Sequence, residues 1–181
     1  VGDALMAQGK AAEALASYGI SLSTLERLTQ ADTDNAALRR DLAVSNIKIG
    51  HVLHRQHNLP AAIMRYSTAL DLATSLSKAD PRNTVWQRDV AIARGSLGNV
   101  RMAEGDFDAA VREYGAHFET ISRLATSDPN NSVWQGDLSA SYLKVGDALR
   151  AQDNLSDALA KYQAGLDIAK RLSQRDPENS E

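Results

Sequence analysis

Apolar and polar positions alternate along this chain with a helical step. Between Thr84 and Glu104, the residues Trp86, Val90, Ala93, Leu97 and Val100 recur at alternating intervals of four and three. That spacing lays them on one face of a helix. Asn83 stands where an N-cap would accept from an exposed backbone N–H. Pro81 keeps the preceding helix from running on. After the turn at Gly105-Asp106, a second amphipathic run from 108 to 126 points Ala110, Val111, Tyr114, Phe118, Ile121 and Leu124 inward, and Asp128-Pro129 ends it. The same reading predicts helices at 11–31, 36–56, 60–79, 132–152 and 156–175, after a helix stump at 1–8. Each full helix is about 20 residues, or about 30 Å, long. No segment shows the period-two alternation of a strand.

The pattern repeats. Gly2, Gly50, Gly98 and Gly146 are spaced by 48 residues. Ala14, Ala62, Ala110 and Ala158 keep the same step, as do Tyr18, Tyr66, Tyr114 and Tyr162. So do Leu28, Leu76, Leu124 and Leu172. Asp32, Asp80, Asp128 and Asp176 follow, with Asn35, Asn83, Asn131 and Asn179 three residues later. The array divides into units 2–49, 50–97, 98–145 and a partial 146–181, expected to form one domain over 1–181. A two-helix unit cannot bury its apolar face alone, and stacking on its neighbours makes a continuous core. The expected fold is all-α: a right-handed α-solenoid of antiparallel helix pairs, with about seven long helices plus the N-terminal stump. The phase of the repeat suggests a fragment. The chain opens at Val1-Gly2 without Met or a leader, and Asp176-Pro177-Glu178-Asn179 begins another copy.

The Gly, the Ala twelve residues later and the aromatic four after that resemble the tetratricopeptide repeat. Ile49-Gly50 with Ala62 and Tyr66, Leu97-Gly98 with Ala110 and Tyr114, and Val145-Gly146 with Ala158 and Tyr162 carry the likeness. The family's unit is about 34 residues. The longer unit here adds one heptad per helix, which keeps the inward face in phase. The long-unit form is similar to arrays in large bacterial multidomain proteins.

Composition narrows the function. The 43% apolar and 24% charged residues suit an ordinary globular domain. A formal net charge of −3 lacks the basic excess of a nucleic-acid binder. No run approaches the roughly 18 apolar residues of a membrane span. There is no cysteine for a disulfide, a thiolate metal site or a nucleophile. Gly95-Ser96-Leu97-Gly98 lies inside a helix and makes no phosphate loop, and no Ser stands in a nucleophile elbow. No catalytic residue and no cofactor is expected. No compartment is signalled, and the cytoplasm is the default.

Residues identical in every copy serve stacking. The Gly column permits close helix approach, and Trp86 and Trp134 fill the space between units. The Asp and Asn columns supply turns and caps. Function belongs where copies differ. The resemblance implies that first helices line a concave groove for a peptide or partner helix. By position relative to each Gly, that groove takes Asp3, Met6, His51, His54, Arg55, Asn99, Met102, Asp147 and Arg150, with Arg40 and Arg88 added by the extra heptad. Arg offers forked contacts to carboxylates, and Met adapts to apolar side chains. His51 and His54 share a face, yet no metal site is expected, and charging of these His at mildly acidic pH would alter partner binding. The alternative reading is self-association through bare solenoid ends, using Leu22, Leu25 and Leu28 at one end and Leu159, Leu166 and Ile168 at the other.

Overall fold

The structure, a computed structural model, describes residues 1–175, so Asp176 and Asn179 of the repeat columns lie outside the described residues. The described residues fold into helices α1 (Gly2–Ala7), α2 (Ala11–Ala31), α3 (Ala36–Arg55), α4 (Leu59–Ala79), α5 (Thr84–Glu104), α6 (Phe107–Ser127), α7 (Ser132–Ala151) and α8 (Leu155–Arg175). No strand occurs among them. The fold is an all-α helical repeat in which consecutive helices pack as hairpins.

The repeat columns set the helix ends. Asn35, Asn83 and Asn131 each accept from the backbone N–H three residues on, at 3.1 Å, and so start α3, α5 and α7. The Asp column closes the preceding helices: the N–H groups of Asp32, Asp80 and Asp128 donate to the carbonyls of Leu28, Leu76 and Leu124. The Oδ1 atoms of Asp80 and Asp128 accept from the N–H two residues later, an Asx turn that carries the chain to the next cap. Within the later hairpins a second set of caps operates, whereas α2 starts at Lys10 without a side-chain cap. Asn58, Asp106 and Asn154 cap α4, α6 and α8.

One further column is set by backbone rather than by residue type. Gly9, His57, Gly105 and Asp153 are 48 residues apart, and all have positive φ, between 57° and 78°. Each turns the chain between the two helices of its hairpin. A left-handed residue with a Cβ costs energy that glycine does not. His57→Gly and Asp153→Gly are each expected to raise stability by about 0.5–1 kcal/mol. A rise in the urea midpoint at unchanged slope is the sign to look for.

The chain divides into two compact units, Val1–Val100 and Arg101–Glu181. In the first body, Ala14, Tyr18, Leu22, Ile49 and Val52 join α2 to α3. Ile47, Ala62, Tyr66, Ala69, Ala93, Leu97 and Val100 join α3, α4 and α5. In the second, Ala110, Tyr114 and Ala148 form a smaller core against Met102, Val111 and Val145. Phe118 and Tyr142 meet edge to face at 4.8 Å between centroids. Trp86 and Trp134 are half-buried.

The Gly column has a specific partner. A Cβ built on Gly50 would lie 2.5 Å from Cε1 of Tyr66, and one on Gly146 would lie 2.6 Å from Cε1 of Tyr162. One on Gly2 would meet the Tyr18 ring in the same way. Each tyrosine ring therefore rests on the bare backbone of the helix that precedes it in its own hairpin.

Candidate functional site

Helices α1, α3 and α5 supply the first-helix positions of the first body, and polar side chains tie them together. Lys48 of α3 donates from Nζ to Oδ2 of Asp3 in α1 at 2.6 Å. Arg40 of α3 donates from Nε and Nη2 to the two carboxylate oxygens of Asp89 in α5, at 2.6 and 3.3 Å. Nearer the other end of α3, Nε2 of His51 lies 3.3 Å from Oγ of Ser96. These links frame an open groove of about 720 Å³.

Asp3, Met6, Arg40, His51, His54, Arg55 and Arg88 line this groove, as do Tyr18, Val44, Ile47, Lys48, Asp89 and Ile92. The other predicted groove residues are elsewhere. Asn99 is half-buried in α5, and Met102 packs against the core of the second body. Asp147 accepts from the Tyr162 hydroxyl at 2.8 Å and pairs with Arg150 at 3.7 Å. Sequence reasoning missed Lys48 and Asp89. Asp89 had a signal, since Asp41, Asp89 and Asp137 form a 48-residue column.

The residue after each Gly has a structural duty in two copies. The Tyr18 hydroxyl donates to Asp3 at 2.5 Å, as Tyr162 does to Asp147. In the second copy His51 replaces the Asp. Its ring meets Tyr66 edge-on at 5.6 Å, and the buried Tyr66 hydroxyl has no hydrogen-bond partner among the described residues.

Charge in the groove is uneven. Arg40, Lys48, Arg55 and Arg88 face it with Asp3 and Asp89. Both carboxylates are engaged internally, Asp89 by Arg40 and Asp3 by Lys48 and Tyr18. The hydrogen bonds from Lys48 and Tyr18 hold the Asp3 carboxyl below its ordinary value. The Asp89 hydrogen bond pushes Arg40 upward. Burial, with the neighbouring His57 charge, pushes His54 down. The apolar part of the lining is Met6, Val44, Ile47 and Ile92.

The tyrosines make an alkaline prediction. Burial pushes Tyr18 and Tyr114 up to about 12, and Tyr66 is raised further in the same direction by burial alone. The unfolded phenols ionise near 10. Their contribution to stability is complete below that value and is lost as pH rises through the folded values. The melting temperature should hold from about pH 8 to 9.5 and fall beyond about pH 10, with phenolate absorbance appearing on unfolding.

The predicted self-association residues divide. Leu22 and Ile168 are buried within their own bodies, which corrects the expectation that they are bare: α3 covers Leu22, and α8 turns Ile168 inward. Leu25 is half-buried, whereas Leu28, Leu159 and Leu166 are exposed. Among the described residues, no group of three or more His, Asp or Glu is arranged to hold a metal ion, and no helix is long and apolar enough to cross a membrane.

No family model matches the chain, and no curated protein sequence matches it. Solved structures do. The crystal structure of MamA aligns over 96% of this chain and 97% of its own, at 17% identity and a TM-score of 0.51. The crystal structure of BtubC (BKLC) from P. vanneervenii aligns over 95% of this chain and 78% of its own, at 16% identity and a TM-score of 0.51. At these identities the likeness is one of fold.

Proposed function

We propose that this chain is a non-catalytic protein-interaction module that holds a peptide or partner helix in the groove of its first body. One observation carries the reading. First-helix residues that differ between copies (Asp3, Met6, His51, His54 and Arg55 among them) converge on one groove with an apolar lining and charged side chains. An adaptable apolar surface with a few placed polar groups suits a side-chain-bearing ligand. The tetratricopeptide-like neighbours support a protein-interaction role.

Arg55 gives the test. It is exposed, lines the groove, and makes no hydrogen bond or ion pair among the described residues. Arg55→Glu should leave the melting temperature unchanged and weaken binding of the best members of a labelled peptide pool by about tenfold in fluorescence anisotropy. Unaltered binding would remove the groove from the account.

A second reading rests on α8, where Leu159 is 68% exposed and Leu166 is 47% exposed, on one face about two turns apart. Under that reading the chain dimerises. Light scattering over a hundredfold dilution, with Leu159→Glu as control, would show a mass that falls on dilution or with the substitution.

A further inference from the structure

We propose that the groove of the first body takes an extended acidic polypeptide segment, and that protonation of His51 and His54 tightens its hold. The inference rests on the groove-binding reading above and gives it a ligand chemistry and a regulator.

The charge argument comes first. The chain as a whole is negative, with a formal net charge of −3. The groove is the reverse: Arg40, Lys48, Arg55 and Arg88 face it against Asp3 and Asp89. Asp89 lies under the fork of Arg40 and Asp3 under Lys48, so these two pairs cancel and the positive excess of the lining comes from Arg55 and Arg88. A segment carrying Glu or Asp between apolar residues would meet cations along the groove while its apolar side chains cover Met6, Val44, Ile47 and Ile92. A polynucleotide fits less well. The one phenol ring lining the groove, Tyr18, is buried against α1 and bonded to Asp3, so it offers no face for a base.

The histidines add the regulation. His51 and His54 both line the groove, on successive turns of α3. On their own helix stand Lys48 and Arg55, with His57 in the turn beyond. Asp3 faces from α1 and Tyr18 from α2. Tyr66 of α4 meets the His51 ring, and α5 brings Ser96, Arg88 and Asp89. Both carboxylates already hold cations, Asp89 with Arg40 and Asp3 with Lys48. Burial and His57 favour the neutral form of His54 in the empty groove. A ligand carboxylate alongside reverses that preference, so binding takes up protons. Affinity then rises as pH falls below about 6.5. The second copy also departs from the scaffold at this point. It has His51 where the first and fourth copies have the Asp that satisfies the tyrosine hydroxyl, and Tyr66 is left without a partner. A position that gives up a structural bond at the groove is what a functional substitution looks like.

The test uses the whole chain and three labelled peptides of one apolar framework, bearing Glu, Gln or Lys at the same positions. Their ends are acetylated and amidated, so that no terminal carboxylate contributes. Anisotropy is read at about pH 7.5 and about pH 5.5, where peptide Glu is still ionised. Circular dichroism confirms the fold at both. The Glu peptide should bind tightest at either pH and gain about tenfold on acidification. His51→Gln with His54→Gln should lose the gain, so that its affinities at the two pH values agree whatever its affinity at pH 7.5. If the Gln peptide binds as well as the Glu peptide, the groove reading stands and the acidic selectivity is wrong. If the double variant keeps the gain, the histidines are not its source. A short single-stranded RNA that competes more strongly than the Glu peptide would overturn the polypeptide assignment. Failure of all three peptides, at either pH, overturns both this inference and the groove reading beneath it.

Discussion

Gly50→Ala is expected to destabilise the protein by about 1–2 kcal/mol net, although the same change elsewhere in these helices should stabilise it. Alanine is the better helix former by about 1 kcal/mol. At Gly115 and Gly136 an added Cβ meets nothing within 4 Å, so Gly115→Ala and Gly136→Ala should each gain about that amount. At Gly50 the methyl would sit 2.5–2.9 Å from three atoms of the Tyr66 ring. That ring is fully buried among Ala62, Ala69, Ala93 and Leu97 and cannot swing aside. Overpacking of this kind costs about 1–3 kcal/mol and displaces the helices. Chemical denaturation of the three variants reads the opposite signs directly. Adding Tyr66→Leu to Gly50→Ala should recover part of the loss, because the clash is with the ring itself.

The second large effect lies at the Arg40–Asp89 pair. Asp89 is 6% exposed, and both its oxygens accept from the Arg40 fork. Removing the arginine leaves a buried carboxylate without its counter-charge. Such losses run to about 3–5 kcal/mol for fully buried pairs. The Arg40 side chain is 38% exposed, and water would reach the site, so about 2 kcal/mol is the expectation for Arg40→Met. The double variant Arg40→Met with Asp89→Leu should be less harmed than Arg40→Met alone, since it removes the stranded charge as well. A thermodynamic cycle over the four proteins measures that coupling. Additive losses would mean that the pair contributes through its separate packing and not as an ion pair.

The fold was legible because the repeat states it four times. The predicted helix at 36–56 is Ala36–Arg55, and the one at 108–126 is Phe107–Ser127. The Asn and Asp columns act as the caps and turns that their chemistry suggests. What identity columns do not reveal is which column faces which. Gly50 was expected to admit a neighbouring helix, but that Tyr66 fills the space required coordinates. Nor do they reveal a position defined by φ. Gly9, His57, Gly105 and Asp153 share a left-handed backbone, while their side chains have nothing in common. The groove was legible in part. Counting from each Gly located Asp3, Met6, His51, His54 and Arg55, because a helix places such offsets on one face. The same counting could not foresee that Asp147 would be engaged by Tyr162, or that Met102 would turn into a core. Side chains at equivalent positions answer to their own neighbours.

The most direct test of the account is amide chemical-shift mapping of the isotopically labelled chain during titration with the tightest-binding peptide. The account predicts saturable shifts concentrated on the groove faces of α1, α3 and α5, around Met6, His51, His54, Arg55 and Arg88, with the exposed faces carrying Ile20 and Met64 unmoved. Shifts gathered instead around Leu159 and Leu166, and changing with protein concentration in the absence of peptide, would contradict it and identify α8 as the working surface.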